Sequence, residues 1–186
     1  MLFDGGSMLD SKTTCLVLID VQEKLLRVMH NPETTVKNCS ILIQVANALD
    51  IPVLWCQQYP AALGQTSPRL TENLTRSIPI DKRSFSCCGS AEFAEKLHSL
   101  QVDTAVLCGV ETHVCVFQTA MDLLQRGLKV QVIADAVDSR SEQNKQIALN
   151  RLAANGIVIS STEMLLFELL RTSEHPQFKA LSALIR

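Results

Sequence analysis

The chain has 186 residues, of which 47% are hydrophobic and 19% charged, and 17 basic residues against 19 acidic ones leave a net charge of −2. That size and balance suit one packed domain over 1–186, exclude a disordered or fibrous chain, and lack the basic excess of a nucleic-acid binder. No apolar run approaches the roughly 18 to 20 residues needed to cross a bilayer, so no membrane partner is expected.

Met1 to Thr14 has no apolar signal core and no Arg-rich amphipathic character. It reads as an N-terminal extension, with the cytosol as the expected location. The first strand signal is the apolar run Cys15–Val21, interrupted by Asp20, and a helical pattern follows over Glu33–Leu49. Further strand runs lie at Pro52–Cys56, weakly at Ile78–Ile80, and at Thr104–Cys108, Leu128–Ala134 and Ile157–Ser160. Helical patterns over Ser90–Leu100, Thr112–Arg126, Ser141–Asn155 and Thr162–Arg171 alternate with them, with Gly127 and Gly156 as stops. Residues 172–186 form a C-terminal segment whose apolar stretch Phe178–Ile185 suits either a neighbouring subunit or the chain's own core. The alternation predicts a three-layer α/β fold with a mainly parallel sheet. Gln57–Arg69 is the one long irregular stretch, placed to wall a site.

Ligands of such sheets bind beyond the carboxyl ends of the strands. Asp20 ends the first strand, where a buried carboxylate needs a cation, a donor or a proton; the alternative is a cap for the next helix. Lys82 follows the third strand in Asp81-Lys-Arg-Ser-Phe-Ser86. Cys115 follows the fourth in Gly109-Val-Glu-Thr-His-Val-Cys115. With Thr112 as cap, Cys115 takes the third helical position, off the apolar stripe of Val114, Phe117, Met121 and Leu124, and free amides there lower a thiol's pKa. A small buried hydrophobe is the competing reading. The other six cysteines read as filler, with Cys87 and Cys88 in a turn near the same crevice. His113, two residues from Cys115, does not face it on a helix. No Walker A sequence, Gly-rich dinucleotide turn, HExxH or GxSxG occurs, and no Cys-x-x-Cys.

Leu18-Ile-Asp-Val-Gln22, Gln58-Tyr-Pro60 with Leu63-Gly64, Lys82-Arg-Ser-Phe-Ser86 and Gly109 to Cys115 together resemble the isochorismatase-like cysteine hydrolases. The resemblance runs from Cys15 to Phe178 and is strongest to the isochorismatase domain-containing subgroup, His175-Pro-Gln-Phe-Lys179 included. It implies a Rossmann-like sheet of order 3-2-1-4-5-6 and a catalytic triad of Asp20, Lys82 and Cys115. It also implies a cis peptide from Val110 to Glu111, an oxyanion hole from the amides of Glu111 and Cys115, and a homo-oligomer. Gln22, Gln58, Tyr59 and Phe85 are the candidate pocket residues for a small-molecule substrate.

Cys56-Gln-Gln-Tyr59 lacks the Asp-x-His metal motif of nicotinamidases, so no metal and no cofactor are expected. Isochorismate-cleaving relatives lack the nucleophilic cysteine, so Cys115 points to hydrolysis of a small amide or related C–N bond through a thioester. The rivals are an isochorismate-like vinyl-ether hydrolase and a silent redox or interaction protein on the same fold; a nuclease is more distant still.

Overall fold

The computed structural model describes residues 8–186, so the first seven residues of the expected extension lie outside it. Six strands, β1 (Thr14–Ile19), β2 (Val53–Gln58), β3 (Ile80–Lys82), β4 (Thr104–Val110), β5 (Lys129–Asp138) and β6 (Val158–Ser160), form one parallel sheet of order β3-β2-β1-β4-β5-β6. Between β1 and β2 come α1 (Glu23–Leu26) and α2 (Pro32–Ala48), and between β2 and β3 come α3 (Pro60–Leu63) and α4 (Pro68–Thr71). Helices α5 (Ala91–Leu100), α6 (Phe117–Gln125), α7 (Glu142–Ala154), α8 (Thr162–Leu170) and α9 (Phe178–Ser182) complete the layers.

The period-two alternation of the central strands divides the core. Leu16 and Leu18 of β1 with Val106 and Cys108 of β4 pack under α2 and α8. Cys15, Val17, Ile19, Ala105 and Leu107 pack on the opposite face under α5, α6 and α7. Side chains that alternate across a strand and are apolar on both sides demand two helical layers. The connection after β1 and the connection after β4 therefore leave on opposite faces, which opens a crevice at the carboxyl ends of these two neighbours. Of the C-terminal segment, Phe178, Leu184 and Ile185 are half-buried against the chain's own core.

Three expected boundaries are corrected. β3 begins at Ile80 and ends on Lys82, because Pro79 has no N–H for a ladder and Ile78 is 74% exposed. Lys82 therefore closes its strand instead of following it. β5 runs on to Asp138 past a register irregularity, with Leu107 opposite Val132 and Gly109 opposite Val137; its two carboxylates hide the continuation from a reading of hydropathy. One of them, Asp135 Oδ1, accepts from the backbone N of Thr162 at 2.8 Å and so caps α8. The irregular stretch from Gln57 is partly ordered by α3 and α4, and by an isolated bridge between Gln22 and Thr66.

Gly109 has φ +117°, and an added Cβ would collide with the backbone carbonyl of Ile19, its partner across the β1–β4 ladder. Gly109→Ala is expected to cost about 2–4 kcal/mol, read as a lowered urea midpoint with an unchanged slope.

Candidate active site

Asp20 is the first residue beyond β1, held at φ +54° and 0% exposed. Its backbone N donates to the Cys56 carbonyl at 3.1 Å. Lys82 reaches across from β3, and its Nζ donates to Asp20 Oδ2 at 2.7 Å, Gln58 Oε1 at 2.6 Å, the Phe85 carbonyl at 2.9 Å and the Ser84 carbonyl at 3.3 Å. Four acceptors surround three protons, so the ammonium has no donor left over and acts on its surroundings as a fixed positive charge. Asp20 Oδ1 is buried and makes no hydrogen bond of ordinary geometry. The Cys115 thiol lies close enough to couple to the carboxylate as a weak donor.

The charges follow from this packing. Burial pushes the Asp20 carboxyl above its usual range although Lys82 opposes the shift, leaving a carboxylate that is a stronger base than an exposed one. Burial pulls Lys82 down, but Asp20, Cys87 and Cys115 more than offset it, and the ammonium is held above its ordinary value. Burial and the Asp20 charge drive the Cys115 thiol far up, with Lys82 opposing.

That last point corrects the expected depressed thiol. Thr112 does not cap a helix toward Cys115: its Oγ1 donates to the Asp138 carbonyl at 2.9 Å. Residues Thr112–Val116 form a wide π-helical turn ahead of α6, an irregularity frequent at functional sites. Cys115, 7% exposed, sits within this turn beside the Asp20 carboxylate, and burial and that charge favour the protonated thiol. The Val110–Glu111 peptide bond is cis. Glu111 Oε2 accepts from the Arg140 backbone N at 3.1 Å and from its Nε at 3.0 Å.

The expected pocket residues divide. Gln22 is 0% exposed and engaged with backbone. Its Oε1 accepts from Gln58 N at 2.7 Å, and its Nε2 donates to the carbonyls of Gln58 at 3.0 Å and Gly64 at 2.5 Å. It fastens the end of β2 to the end of β1, and its amide is occupied by three backbone groups of the half-buried Gln58 and Gly64. Gln58 orients Lys82. Tyr59 and Phe85, whose backbones bond Lys82, are exposed at 37% and 55%, and the Arg83 guanidinium stacks 3.4 Å over the Tyr59 ring. Cys87 and Cys88 are buried, at 0% and 8%, not displayed in an open turn. The Cys87 N–H is held by Thr119 Oγ1 at 3.0 Å.

The sequence reading passed over Asp138, the last residue of β5. It is 0% exposed; its Oδ2 accepts from Asn31 N at 2.7 Å and its Oδ1 from Ser139 N at 2.8 Å. With its carbonyl on Thr112, it anchors the turn that carries Cys115. The signal was the one used for Asp20, a carboxylate at the end of a buried strand. Among the described residues, no group of three or more His, Cys, Asp or Glu side chains is arranged to hold a metal ion, and no helix is long and apolar enough to cross a membrane.

The isochorismatase domain family model matches residues 14–164. Isochorismatase domain-containing protein 2 of Rattus norvegicus is 39% identical over 177 residues, covering 94% of this chain and 82% of that protein. The structure of MAR1 ribonuclease from Caenorhabditis elegans superposes with a TM-score of 0.91 at 36% identity, over 96% of this chain and 92% of that one. The YcaC gene product of Escherichia coli, described as an octameric hydrolase of unknown specificity, gives a TM-score of 0.92 at 20% identity, over 98% and 91%.

Proposed function

The chain belongs to the isochorismatase domain family, and from that premise we propose that it is a cysteine hydrolase of a small amide or related C–N bond. The observation that carries this reading is the buried, unpartnered Oδ1 of Asp20 beside the Cys115 thiol, with Oδ2 tied to Lys82 at 2.7 Å. A base whose other oxygen is pinned by a cation has one direction in which to take a proton.

In this reading, Asp20 removes the thiol proton as Cys115 Sγ attacks the substrate carbonyl. Lys82 balances the negative charge, and the amides of Glu111 and Cys115 receive the oxyanion. Collapse breaks the C–N bond, and the amine leaves with the proton held on Asp20. Water, losing a proton to Asp20, then cleaves the thioester and releases the acid. The triad proton is thereby restored.

The test is a panel of small amides and ureides assayed for ammonia or amine release, with and without chelator. At least one is expected to be cleaved equally under both conditions. Cleavage of an added vinyl-ether substrate alone, retained by Cys115→Ala, would replace this reading with the acid-catalysed alternative. The printed name of the C. elegans relative favours a second reading, RNA cleavage. Against it stand a net charge of −2 and a site with no cluster of metal-holding acids among the described residues. Incubating the purified protein with RNA decides between them: cleavage lost on Cys115→Ser would favour it. Assembly as a homo-oligomer is part of the proposal, supported by the octameric E. coli relative and read from the molar mass in solution.

A further inference from the structure

Because every strand is parallel, the first residue beyond each lies on one edge of the sheet. In spatial order from β3 to β5 these residues are Arg83, Tyr59, Asp20, Glu111 and Ser139. Their charges are compensated with one exception. Asp20 pairs with Lys82 and Glu111 with Arg140. Arg83 is exposed, and among the described residues its guanidinium makes no ion pair and no hydrogen bond.

The guanidinium is nevertheless held in place. It lies 3.4 Å over the Tyr59 ring, and that ring is itself set by backbone at φ +35° with its N–H on the Lys82 carbonyl at 3.0 Å. The Arg83 carbonyl accepts from Gln58 Nε2 at 2.9 Å, while Gln58 Oε1 accepts from the Lys82 ammonium at 2.6 Å. Stacking covers one face of a planar cation and leaves its N–H fork open. The stack also draws the charge from the β3 column over to that of β2, next to the column carrying Asp20. A small molecule that meets Asp20 in its own column can extend toward the cation in the next one.

We propose that Arg83, held on Tyr59 at the mouth of the crevice, is an anion subsite that takes the carboxylate of a small substrate while its scissile carbonyl meets Cys115. The substrate class is then an amide carrying a carboxylate a few bonds from the carbonyl. Exposed Phe85 supplies apolar surface beside the path between the two. This inference rests on the reading of Cys115 as nucleophile.

The test uses two reagents of nearly equal size that differ in charge, iodoacetate and iodoacetamide. In each, Sγ of Cys115 displaces iodide, forming an S–C bond and breaking C–I while the thiol proton passes to Asp20. Peptide mapping of the whole protein gives the rate at Cys115 for both. The iodoacetate-to-iodoacetamide ratio is expected to fall about fivefold in Arg83→Gln, as for loss of one exposed but fixed ion pair, and to fall less in Arg83→Lys, which keeps charge without the planar stack. Added salt should lower the ratio in the native protein and leave it flat in Arg83→Gln. A ratio that Arg83→Gln does not change overturns the anion subsite alone. Labelling of Cys115 by neither reagent defeats the nucleophile reading, and the subsite with it.

Discussion

Cys115→Ser is expected to lower turnover of any amide found by the panel by about 1,000-fold or more while leaving the fold intact. The substitution is nearly isosteric at a position 7% exposed, and a hydroxyl there can still donate to the unpartnered Asp20 Oδ1. Chemistry fails for a different reason. The thiol already keeps its proton because of burial and the Asp20 charge, and a hydroxyl, far less acidic, would give it up to the same carboxylate far less readily. Asp20→Asn should fall by a similar factor, since the two act as one unit and their losses do not add. The check is kcat for both single variants and the double variant, with thermal melts to show that each is folded. Full activity in Cys115→Ser would remove the thiol from the mechanism.

The second large effect concerns pH. Burial pushes Cys15 up to about 12 and Cys88 up to about 11. Cys39 and Cys56 are also raised, first by their hydrogen-bonded thiol neighbours Cys108 and Cys87 and then by burial, and Cys115 is raised by burial and Asp20. In the unfolded chain these thiols ionise near pH 8.5, so above that pH the folded state binds more protons and stability falls as pH rises. Each contributes up to about 1.4 kcal/mol per pH unit, less where two sulfurs share a proton. Their stabilising contribution is present in full below about pH 8.5 and disappears as pH rises through the folded values. Between about pH 8.5 and 10 the loss should reach several kcal/mol, a large part of the 5–15 kcal/mol typical of a domain. Asp20 does not shape this limb. Its raised carboxyl removes stability from about pH 4 upward until it ionises in the folded state, and the Lys82 contribution disappears only at still higher pH. Urea midpoints at pH 7.5, 9 and 10 should fall steeply, and Cys15→Ala should flatten the slope by one thiol's share. A midpoint constant from pH 8 to 10 would mean that the thiols are not protected.

How the sequence lines up with these features depends on the range of the interactions involved. Strand runs such as Cys15–Ile19 and Thr104–Val110 are apolar on both faces, and a run of that kind has few destinations other than the middle of a doubly covered sheet. Asp20 was legible because a carboxylate in such a run is too costly to leave without a partner. The same logic would have found Asp138, but Asp135 interrupts the apolar run of β5 first. Gln22 looked like a pocket residue because its partners, Gln58 and Gly64, are brought to it only by the fold. The thiol of Cys115 was misjudged for a related reason. A helix amino terminus is a local signal that lowers a pKa, whereas burial and the Asp20 charge arise from three separate strands and prevail. Arg83 carried no pattern of its own, and its significance lies in what it does not pair with.

The most direct measurement of the central claim is rapid quenching of the protein with an excess of a cleaved amide, followed by intact mass and peptide mapping. The Asp20–Lys82–Cys115 account predicts one acyl group per chain, on the Cys115 peptide, formed and discharged at rates compatible with turnover and absent in Asp20→Asn. An acyl group on Cys87 or Cys88, or undiminished turnover in Cys115→Ala with no adduct on any cysteine, would contradict it.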